Sequence, residues 1–319
     1  MTTAIVTGGT GFVGANLARR LLRAGVDVHL FVRPGFARWR IEEIQDDVRL
    51  HVVDLGDAEV LARSVALIQP RWVFHLAAYG AYSTQTDVDQ IVQTNLIGTI
   101  NLVNACIQVG CDAFVNAGSS SEYGFKDHAP SEREWLEPNS DYAWSKAAAT
   151  LFCRLTAQRR AAPIITLRLY SVYGPYEEPT RLMPTIIARG LRGELPPLVN
   201  PDIARDYVYI DDVCEAFVLT ATTTGQELGA VYNVGTGVQT SLRDVVDLAR
   251  RQLRIHQQPV WGSMPGRIWD TPVWVADSRA IRAALGWYPR VDVAGGFGAF
   301  VEWLRRDSEV ARFYSSAQS

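Results

Sequence analysis

Residues 4–14 read AIVTGGTGFVG, and this stretch decides the fold. Apolar residues lead into a glycine-rich turn, and a helical pattern follows directly. Gly8 permits the tight turn, Gly11 lets the backbone approach a pyrophosphate, and Gly14 lets helix and strand pack closely. The helix N-terminus would present free N–H groups and a positive dipole end to the phosphates. The stretch therefore predicts a dinucleotide-binding turn at the first strand–helix junction.

Outward from this turn, short apolar runs alternate with amphipathic helical stretches. Continuous apolar runs are expected for strands buried on both faces of a parallel sheet, and their alternation with helices indicates right-handed βαβ units. We therefore predict an α/β fold, a Rossmann-type doubly wound parallel sheet with a smaller C-terminal substrate-binding lobe. The predicted strands are 3–7, 26–32, 48–53, 72–76, 113–117 and 164–169, and the predicted helices include 12–24, 91–109 and 142–158.

Prolines and glycines cluster after Leu169, so regular elements become short there. We expect residues 1–174 to form the dinucleotide-binding domain. Residues 209–235 are expected to return to its sheet through a helix over 211–222 and an apolar strand over 230–234. The substrate-binding lobe would consist of 175–208 and 236–319.

The composition excludes several classes of partner. A net charge of −3 provides no broad attraction to nucleic acid or to an anionic membrane surface, so neither is expected as a partner. Cys106, Cys111, Cys153 and Cys214 lie in apolar stretches without a CxxC pair. They are therefore expected to be buried free thiols in a reducing cytoplasm, with no metal site.

The end of the second predicted strand bears on the choice of dinucleotide. An acidic residue there would bind the ribose 2′-hydroxyl of NAD, whereas an arginine would bind the 2′-phosphate of NADP. The strand ends Leu-Phe-Val-Arg-Pro, with Arg33 at that place and Arg38 nearby. NADP(H) is therefore favoured, and NAD(H) stays possible because both arginines could simply be solvated.

Tyr142 and Lys146 are four residues apart at the start of a predicted helix, so both project from one face. A nearby ammonium is expected to lower the pKa of the Tyr142 phenol toward a value useful for proton transfer. The segment Gly118-Ser119-Ser120-Ser121 follows an apolar strand, at the edge where open α/β sheets bind ligands. A Ser119 hydroxyl there could hydrogen-bond the substrate oxygen that Tyr142 protonates.

With these motifs the chain resembles the extended short-chain dehydrogenase/reductases, the group that contains nucleotide-sugar epimerases, dehydratases and ketoreductases. The resemblance extends over nearly the whole chain. It rests on residues 7–14, 53–55, 75–78, Asn95 with Gly98 and Thr99, and residues 119–124, 142–146, 168–175 and 205–208.

The resemblance implies roles for individual residues. Arg205 and Arg267 resemble the family's two arginines for the phosphates of a nucleotide-diphosphate sugar, and two guanidiniums suit a diphosphate. The implied catalytic residues are Ser119, Tyr142 and Lys146. The implied cofactor-binding residues are Gly8, Thr10, Gly11, Phe12, Val13, Gly14, Arg33, Asp54, Leu55, Leu76, Ala77, Ala78, Tyr142, Lys146 and Tyr170, and the implied substrate-binding residues are Ser119, Ser120, Ser171, Arg205 and Arg267.

Departures from the family pattern narrow the range of reactions that this chain is expected to catalyse. Relatives that dehydrate sugar nucleotides carry a glutamate two residues after the catalytic hydroxyl, where this chain has Ser121; its glutamate is Glu122, one step along. Dehydration needs a base at C5 and an acid at C6, so the chain looks poorly equipped for it. Ser171 replaces an asparagine that touches the substrate in many relatives, which leaves the base and sugar open.

The leading hypothesis is an NADPH-dependent reductase of a 4-keto nucleotide sugar. The alternative is a nucleotide-sugar 4-epimerase that keeps its cofactor bound, because both reactions use the same catalytic residues. Two further alternatives are a non-catalytic NADP-sensing protein, against which the intact Ser119, Tyr142 and Lys146 set counts, and a reductase of steroid-like or flavonoid ketones.

Apolar residues on several faces of the helices over 91–109 and 142–158 indicate a homodimer. The tryptophans Trp261, Trp269, Trp274, Trp287 and Trp303 are expected in the C-terminal core, with Trp269 as a possible nucleotide contact.

Overall fold

The computed structural model describes residues 2–266 and 271–317, and within them the chain forms eleven strands and eleven α-helices. Two short 3-10 turns (Glu42–Ile44 and Ser120–Tyr123) and one π-helical turn (Gln93–Ile97) complete the regular structure of that part. The strands are β1 Thr3–Thr7, β2 Asp27–Val32, β3 Arg49–Val52, β4 Trp72–His75, β5 Ala113–Ser119, β6 Ile164–Leu169, β7 Ser171–Tyr173, β8 Ala204–Arg205, β9 Tyr207–Tyr209, β10 Val231–Val234 and β11 Thr240–Ser241. The helices are α1 Phe12–Arg23, α2 Ala58–Ile68, α3 Val88–Val92, α4 Gly98–Val109, α5 Asp141–Arg160, α6 Leu182–Gly190, α7 Ile210–Thr222, α8 Leu242–Leu253, α9 Arg279–Leu285, α10 Val293–Arg306 and α11 Ser308–Ser316.

Seven strands form one parallel sheet in the order β10-β6-β5-β4-β1-β2-β3. The winding direction reverses between β1 and β4, and ligands of open α/β sheets bind outside the strand ends at such a reversal. Alternate residues of β1 serve different cores, because Ala4 and Val6 pack in one hydrophobic cluster and Ile5 in the other. The predicted doubly wound α/β fold is therefore confirmed.

The C-terminal half adds one strand to the large sheet and builds two small sheets. Strand β10 pairs in parallel with β6, with Val231 opposite Thr166 and Val234 opposite Leu169. Strands β7 and β9 pair in parallel, and β8 and β11 pair antiparallel. The domain boundaries read from the sequence stay a prediction.

One predicted helix differs in the structure. The continuous helix expected over 91–109 is divided into α3, the π-helical turn Gln93–Ile97 and α4. Asn95 lies within that turn and is fully buried. Its amide accepts a hydrogen bond from Tyr79 N–H at 2.8 Å and donates to Tyr79 O at 2.8 Å and to Ser145 Oγ at 2.9 Å. These bonds tie the turn to the loop after β4 and to α5. Hydrophobic periodicity cannot register such a turn, which is often found at functional sites.

The tryptophans divide between core and site. Trp287 is almost fully buried, and Trp261 and Trp303 pack against the larger hydrophobic cluster. Trp274 is different, because it is half-buried and belongs to neither hydrophobic cluster, and its indole Nε1 donates to Ser120 Oγ at 3.1 Å. Its prediction as a core residue is therefore wrong. Trp269 lies outside the described residues.

Across residues 2–266 and 271–317, the helices are all too short or too polar to traverse a lipid bilayer.

Candidate active site

The glycine turn forms a cradle that larger residues could not form. Gly8 has a φ of +69°, and a Cβ there would lie 2.7 Å from Ala77 N. A Cβ on Gly14 would lie 2.2 Å from Gly8 O, and one on Gly11 would lie 3.1 Å from the same oxygen. Helix α1 begins at Phe12 with no side-chain cap on its first N–H groups. The turn thus offers uncapped N–H donors at close backbone range, as binding of a pyrophosphate requires.

A buried histidine fixes the strand end next to this cradle. His75 Nδ1 lies 2.7 Å from Thr7 Oγ1, and His75 Nε2 lies 2.8 Å from Thr99 Oγ1. Thr7 Oγ1 also accepts hydrogen bonds from Leu76 N and Ala77 N, each at 3.2 Å. Burial, with the nearby Lys146 charge adding, lowers the pKa of His75 to about 3. The imidazole is therefore neutral at physiological pH and holds the backbone of residues 75–77 beside the glycine turn.

This arrangement predicts acid sensitivity. Unfolded histidine has a pKa near 6.5, so unfolding takes up a proton below that pH, and stability is lost as the pH falls from about 6.5 toward 3. Between pH 7 and pH 5 the free energy of unfolding should fall by about 2 kcal/mol more in wild type than in His75→Gln. Urea unfolding at both pH values measures this difference. Equal pH dependence of the two proteins would show that His75 is not the group responsible.

The residues predicted near the adenosine half lie at the ends of two adjacent strands. Val32 of β2 stands opposite Val52 of β3, so Arg33 and Asp54 follow neighbouring strand ends. Both side chains are exposed, and Asp54 Oδ1 accepts a hydrogen bond from Gly56 N at 2.8 Å. Within residues 2–266 and 271–317, the Arg33 guanidinium makes no hydrogen bond or ion pair. Its charge is thus accessible at the place where a 2′-phosphate would be bound.

Three residues of the predicted catalytic set come together at the ends of β5 and the start of α5. Ser140 caps α5, its Oγ accepting a hydrogen bond from Ala143 N at 3.2 Å. The next helical turn carries Tyr142 and Lys146 on one face. The Ser119 hydroxyl, at the end of β5, lies close enough to the Tyr142 phenol to lower its pKa. The arrangement places a serine hydroxyl and a phenol where both could contact one substrate oxygen.

The pKa values of this group follow from burial. Burial raises the pKa of Tyr142 to about 12, while the nearby Ser119 hydroxyl and the charge of Arg181 act in the opposite direction. The sequence prediction that Lys146 lowers the Tyr142 pKa is therefore wrong for this structure.

Burial also lowers the pKa of Lys146 itself. Among the residues that the structure describes, none hydrogen-bonds the Lys146 ammonium. An almost fully buried ammonium without a protein partner fits a ligand that supplies hydroxyl acceptors, as a ribose does.

The Glu122 carboxylate is engaged in the protein interior. Its side chain is fully buried, and its Oε2 accepts a hydrogen bond from Arg168 Nε at 2.8 Å in an ion pair. Ser121 occupies the position beside the catalytic hydroxyl instead, with its Oγ 2.8 Å from Ser119 Oγ. The segment 118–124 thus presents hydroxyls at this point and turns its single carboxylate into the interior.

The predicted substrate residues are linked through Trp274. Its indole bonds Ser120, as described above, and the Arg205 guanidinium lies 5.3 Å from the centre of its ring. Arg205 also donates to Ala204 O at 2.8 Å and Thr271 O at 3.2 Å. Arg205 therefore reaches the catalytic segment through one aromatic residue that sequence reasoning assigned to the core. Arg267, the second predicted phosphate arginine, lies outside the described residues.

Other predicted and unpredicted residues border the same region. Tyr170 is buried with its hydroxyl unpaired among the described residues, and Ser171 is half-buried at the start of β7. Sequence reasoning missed two groups whose electrostatic influence reaches Tyr142, namely Arg181 before α6 and Tyr82 after β4. Neither belongs to a motif, so only the tertiary structure could reveal them.

A parallel sheet with a glycine cradle, and a serine, tyrosine and lysine at the same edge, defines an enzyme of the short-chain dehydrogenase type. Residues 4–235 match the NAD dependent epimerase/dehydratase family. The chain therefore belongs to this family, which confirms the resemblance read from its motifs.

Individual relatives agree with this assignment. A UDP-glucose 4-epimerase of Mycolicibacterium smegmatis is 29% identical over 96% of this chain and 99% of its own. A dTDP-glucose 4,6-dehydratase of Streptomyces griseus is 28% identical over 96% of this chain and 95% of its own. The structure of MoeE5 in complex with UDP-glucuronic acid and NAD is 31% identical, with a TM-score of 0.83 over 95% of this chain and 99% of that one.

Proposed function

We propose that the chain is a nucleotide-sugar 4-epimerase that works through a bound nicotinamide dinucleotide. The observation that carries the proposal is the Ser119–Tyr142 pair at the sheet edge that also bears the glycine cradle. The hydroxyl of Ser121 and the internal ion pair of Glu122 argue against dehydration, since no carboxylate of that segment faces the sugar. The names of the M. smegmatis relative and of MoeE5's ligand support a UDP-linked sugar as substrate.

A dinucleotide held by the glycine turn and Lys146 would supply the redox chemistry at C4. Tyr142 takes the proton of the 4-hydroxyl and later gives it back, which is general acid–base catalysis by a positioned phenol. Ser119 donates a hydrogen bond to the same oxygen. Lys146 binds the ribose hydroxyls. Epimerisation requires the 4-keto sugar to present its other face before the hydride returns.

The residues proposed to hold the dinucleotide follow the ends of strands on both sides of the reversal between β1 and β4. The glycine turn would bind the pyrophosphate, Asp54 and Leu55 the adenine, and Tyr170 would lie at the nicotinamide side. The remaining proposed contacts are Thr10, Phe12, Val13, Leu76, Ala77 and Ala78 along the cofactor.

NAD is the cofactor of the family, and we propose that Arg33 extends the range of this chain to NADP. Replacing Arg33 by alanine should weaken NADP binding by about 1.5–3 kcal/mol, because a charge-assisted bond to the 2′-phosphate is lost. NAD has no such phosphate and should bind as before. Fluorescence titration with both dinucleotides measures the two affinities. If both change alike, or neither does, Arg33 does not select the cofactor.

A reductase of 4-keto nucleotide sugars is the second candidate, and the exposed, unpaired Arg33 favours it because biosynthetic reductions commonly draw on NADPH. The two reactions differ in net redox change, because an epimerase leaves the amount of NADPH unchanged, whereas a reductase consumes it. A panel of 4-hydroxy and 4-keto UDP- and dTDP-sugars, followed by NADPH absorbance and product stereochemistry, distinguishes them. Net NADPH consumption with keto sugars alone would favour the reductase.

We propose that Arg205 binds the diphosphate of the substrate, together with Arg267. Such a contact stabilises ground state and transition state alike, so Arg205→Ala should mainly raise KM, by about tenfold or more. Loss of sugar positioning should lower kcat to a smaller extent. Steady-state kinetics on a UDP-sugar, beside calorimetric binding of UDP alone, tests this. Unchanged UDP affinity in both Arg205→Ala and Arg267→Ala would favour a ketone substrate without a nucleotide.

We also propose a two-domain organisation and a homodimer. The substrate lobe, 175–208 and 236–319, would cover the sheet edge on which residues 1–174 and 209–235 place the catalytic set.

Leu151 and Leu155 of α5 are exposed by 57% and 46%, so burial against a second copy would remove apolar surface from water. Light scattering of the purified protein measures the molecular mass, which distinguishes a homodimer from a monomer.

A further inference from the structure

Glu122 connects three elements of the catalytic region through one buried carboxylate. Its Oε1 accepts hydrogen bonds from Ser119 N at 2.8 Å and from Thr150 Oγ1 at 3.0 Å, and its Oε2 accepts one from Arg168 Nε at 2.8 Å. Ser119 ends β5, Thr150 belongs to α5, and Arg168 belongs to β6. A fully buried carboxylate is retained only when such bonds offset its loss of hydration.

Two of these contacts act on the predicted catalytic residues. Thr150 lies four residues after Lys146 and eight after Tyr142, so the three side chains share one face of α5. Glu122 therefore contacts the same helix face that carries the phenol and the ammonium. Through the Ser119 N–H it also fixes the backbone of the serine whose hydroxyl contacts that phenol. The carboxylate lies behind the catalytic set and couples its two halves.

Arg168 holds the carboxylate in this place. Arg168 is 2% exposed, its Nη1 donates to Tyr123 Oη at 2.8 Å, and Tyr123 Oη in turn donates to Asn233 Oδ1 at 2.7 Å. Gly118 leaves the space for this pair, because a Cβ there would lie 2.8 Å from Glu122 Oε1. Hydrogen bonds and close packing thus leave Glu122 one orientation.

We infer that Glu122 is a positioning residue, which sets Ser119 against Tyr142 and Lys146 and imposes a negative charge behind them. The inference rests on the proposed function, because it assumes that these three residues carry the reaction. It assigns the glutamate of the segment 118–124 a role distinct from acid–base work on the sugar.

The charge of Glu122 shifts the pKa values of two catalytic residues in a direction that can be measured. It raises the pKa of Tyr142 and that of Lys146, so its removal should lower both. The limb of the pH profile that reports deprotonation of the phenol should then move to lower pH. Other titratable or charged groups surround this set. Near Tyr142 they are Arg181 before α6 and Tyr82 after β4, and near Lys146 they are His75 of β4 and Cys153 of α5. Near Glu122 they are Arg168 of β6 and Tyr123.

The test separates positioning from simple stability. In Glu122→Leu/Arg168→Met both charges are replaced by apolar groups, an exchange that buried ion pairs often tolerate in folding. We expect its Tm to fall by only a few degrees, because Ser119 N and Thr150 Oγ1 lose their acceptor, while kcat falls by about 10- to 100-fold, the scale of a slightly misplaced reacting group. The KM and the Kd for NAD should change little. A double variant with more than half of wild-type kcat would overturn the inference.

Two single variants keep the test decisive if the double variant does not fold. Thr150→Val removes only the hydroxyl that joins α5 to Glu122 and should lower kcat without lowering Tm. Glu122→Gln should move the pH profile to lower pH, whereas Glu132→Gln, which removes a carboxylate beside Arg168 that accepts from Asn233 N, should leave it unchanged. Wild-type kcat in Thr150→Val, or an unmoved profile in Glu122→Gln, would contradict the inference.

Tyr142→Phe is assayed beside these variants. An active Tyr142→Phe would refute the proposed function itself. An inactive Tyr142→Phe together with a fully active double variant would refute only the role of Glu122.

Discussion

Replacing Tyr142 by phenylalanine should reduce turnover by ~10²–10⁴-fold, the usual contribution of a general acid or base. The phenol is the one group of the predicted catalytic set that can both take and give the proton of a 4-hydroxyl at the observed site. The ring itself would remain, so packing at the start of α5 should be preserved. Initial rates on a UDP-sugar measure the loss, and a variant with more than a tenth of wild-type activity would refute the role of Tyr142.

The control for this substitution is cofactor binding. Tyr142→Phe should bind NAD nearly as well as wild type, since the glycine cradle and Lys146 are unchanged. It should also unfold at nearly the same temperature. Inactivity accompanied by loss of NAD binding would indicate a damaged site rather than a missing proton donor.

Replacing Gly14 by alanine should weaken NAD binding about 10- to 100-fold, because overpacking of 1–3 kcal/mol falls directly on the phosphate cradle. The added Cβ would lie 2.2 Å from Gly8 O, and backbone atoms cannot yield as a flexible side chain can. The turn would have to move away from the start of α1. Calorimetric titration with NAD measures the change, and unaltered affinity would show that the turn does not bind the dinucleotide.

Gly298 provides the matched control. It lies within α10, and a Cβ there would meet only Gln252 Oε1 at 3.4 Å, an ordinary contact. Gly298→Ala should therefore keep NAD affinity and favour the helix slightly, because alanine has the better helix propensity. A similar loss of affinity in both variants would indicate a general effect of the substitutions on folding.

The parts of the fold that follow from local pattern could be predicted from the sequence. Strands such as Ile164–Leu169 are continuous apolar runs, and the glycine turn has one geometry that its spacing permits. The shared face of Tyr142 and Lys146 follows from helical periodicity alone. Ser140 as the cap of α5 follows from the preference of serine for that position.

What the sequence could not reveal depends on contacts between distant residues. The partner of Glu122 is Arg168, 46 positions away, and no local pattern links them. The π-helical turn at Asn95 depends on bonds to Tyr79 and Ser145 from two other elements. The Tyr142 pKa was predicted with the wrong sign because charge proximity can be read from spacing, whereas burial cannot.

Two positions, 121 and 122, underlie our proposal of epimerisation over dehydration. The chain is 28% identical to a dTDP-glucose 4,6-dehydratase and 29% identical to a UDP-glucose 4-epimerase, so overall similarity does not separate the reactions. The geometry of the site favours epimerisation, because Ser121 offers a hydroxyl beside Ser119, and Glu122 is committed to Arg168. Loss of water from the sugar would require a base at C5 and an acid at C6.

The most direct measurement follows the C4 hydrogen itself. UDP-glucose deuterated at C4 is incubated with the enzyme and catalytic NAD, and the product is examined by NMR and mass spectrometry. We expect UDP-galactose, or the C4 epimer of whichever UDP-sugar is turned over, with the deuterium retained at C4 and no net change in NADH absorbance. A deoxy or keto product, loss of the deuterium to the dinucleotide pool, or stoichiometric consumption of NADPH would contradict it.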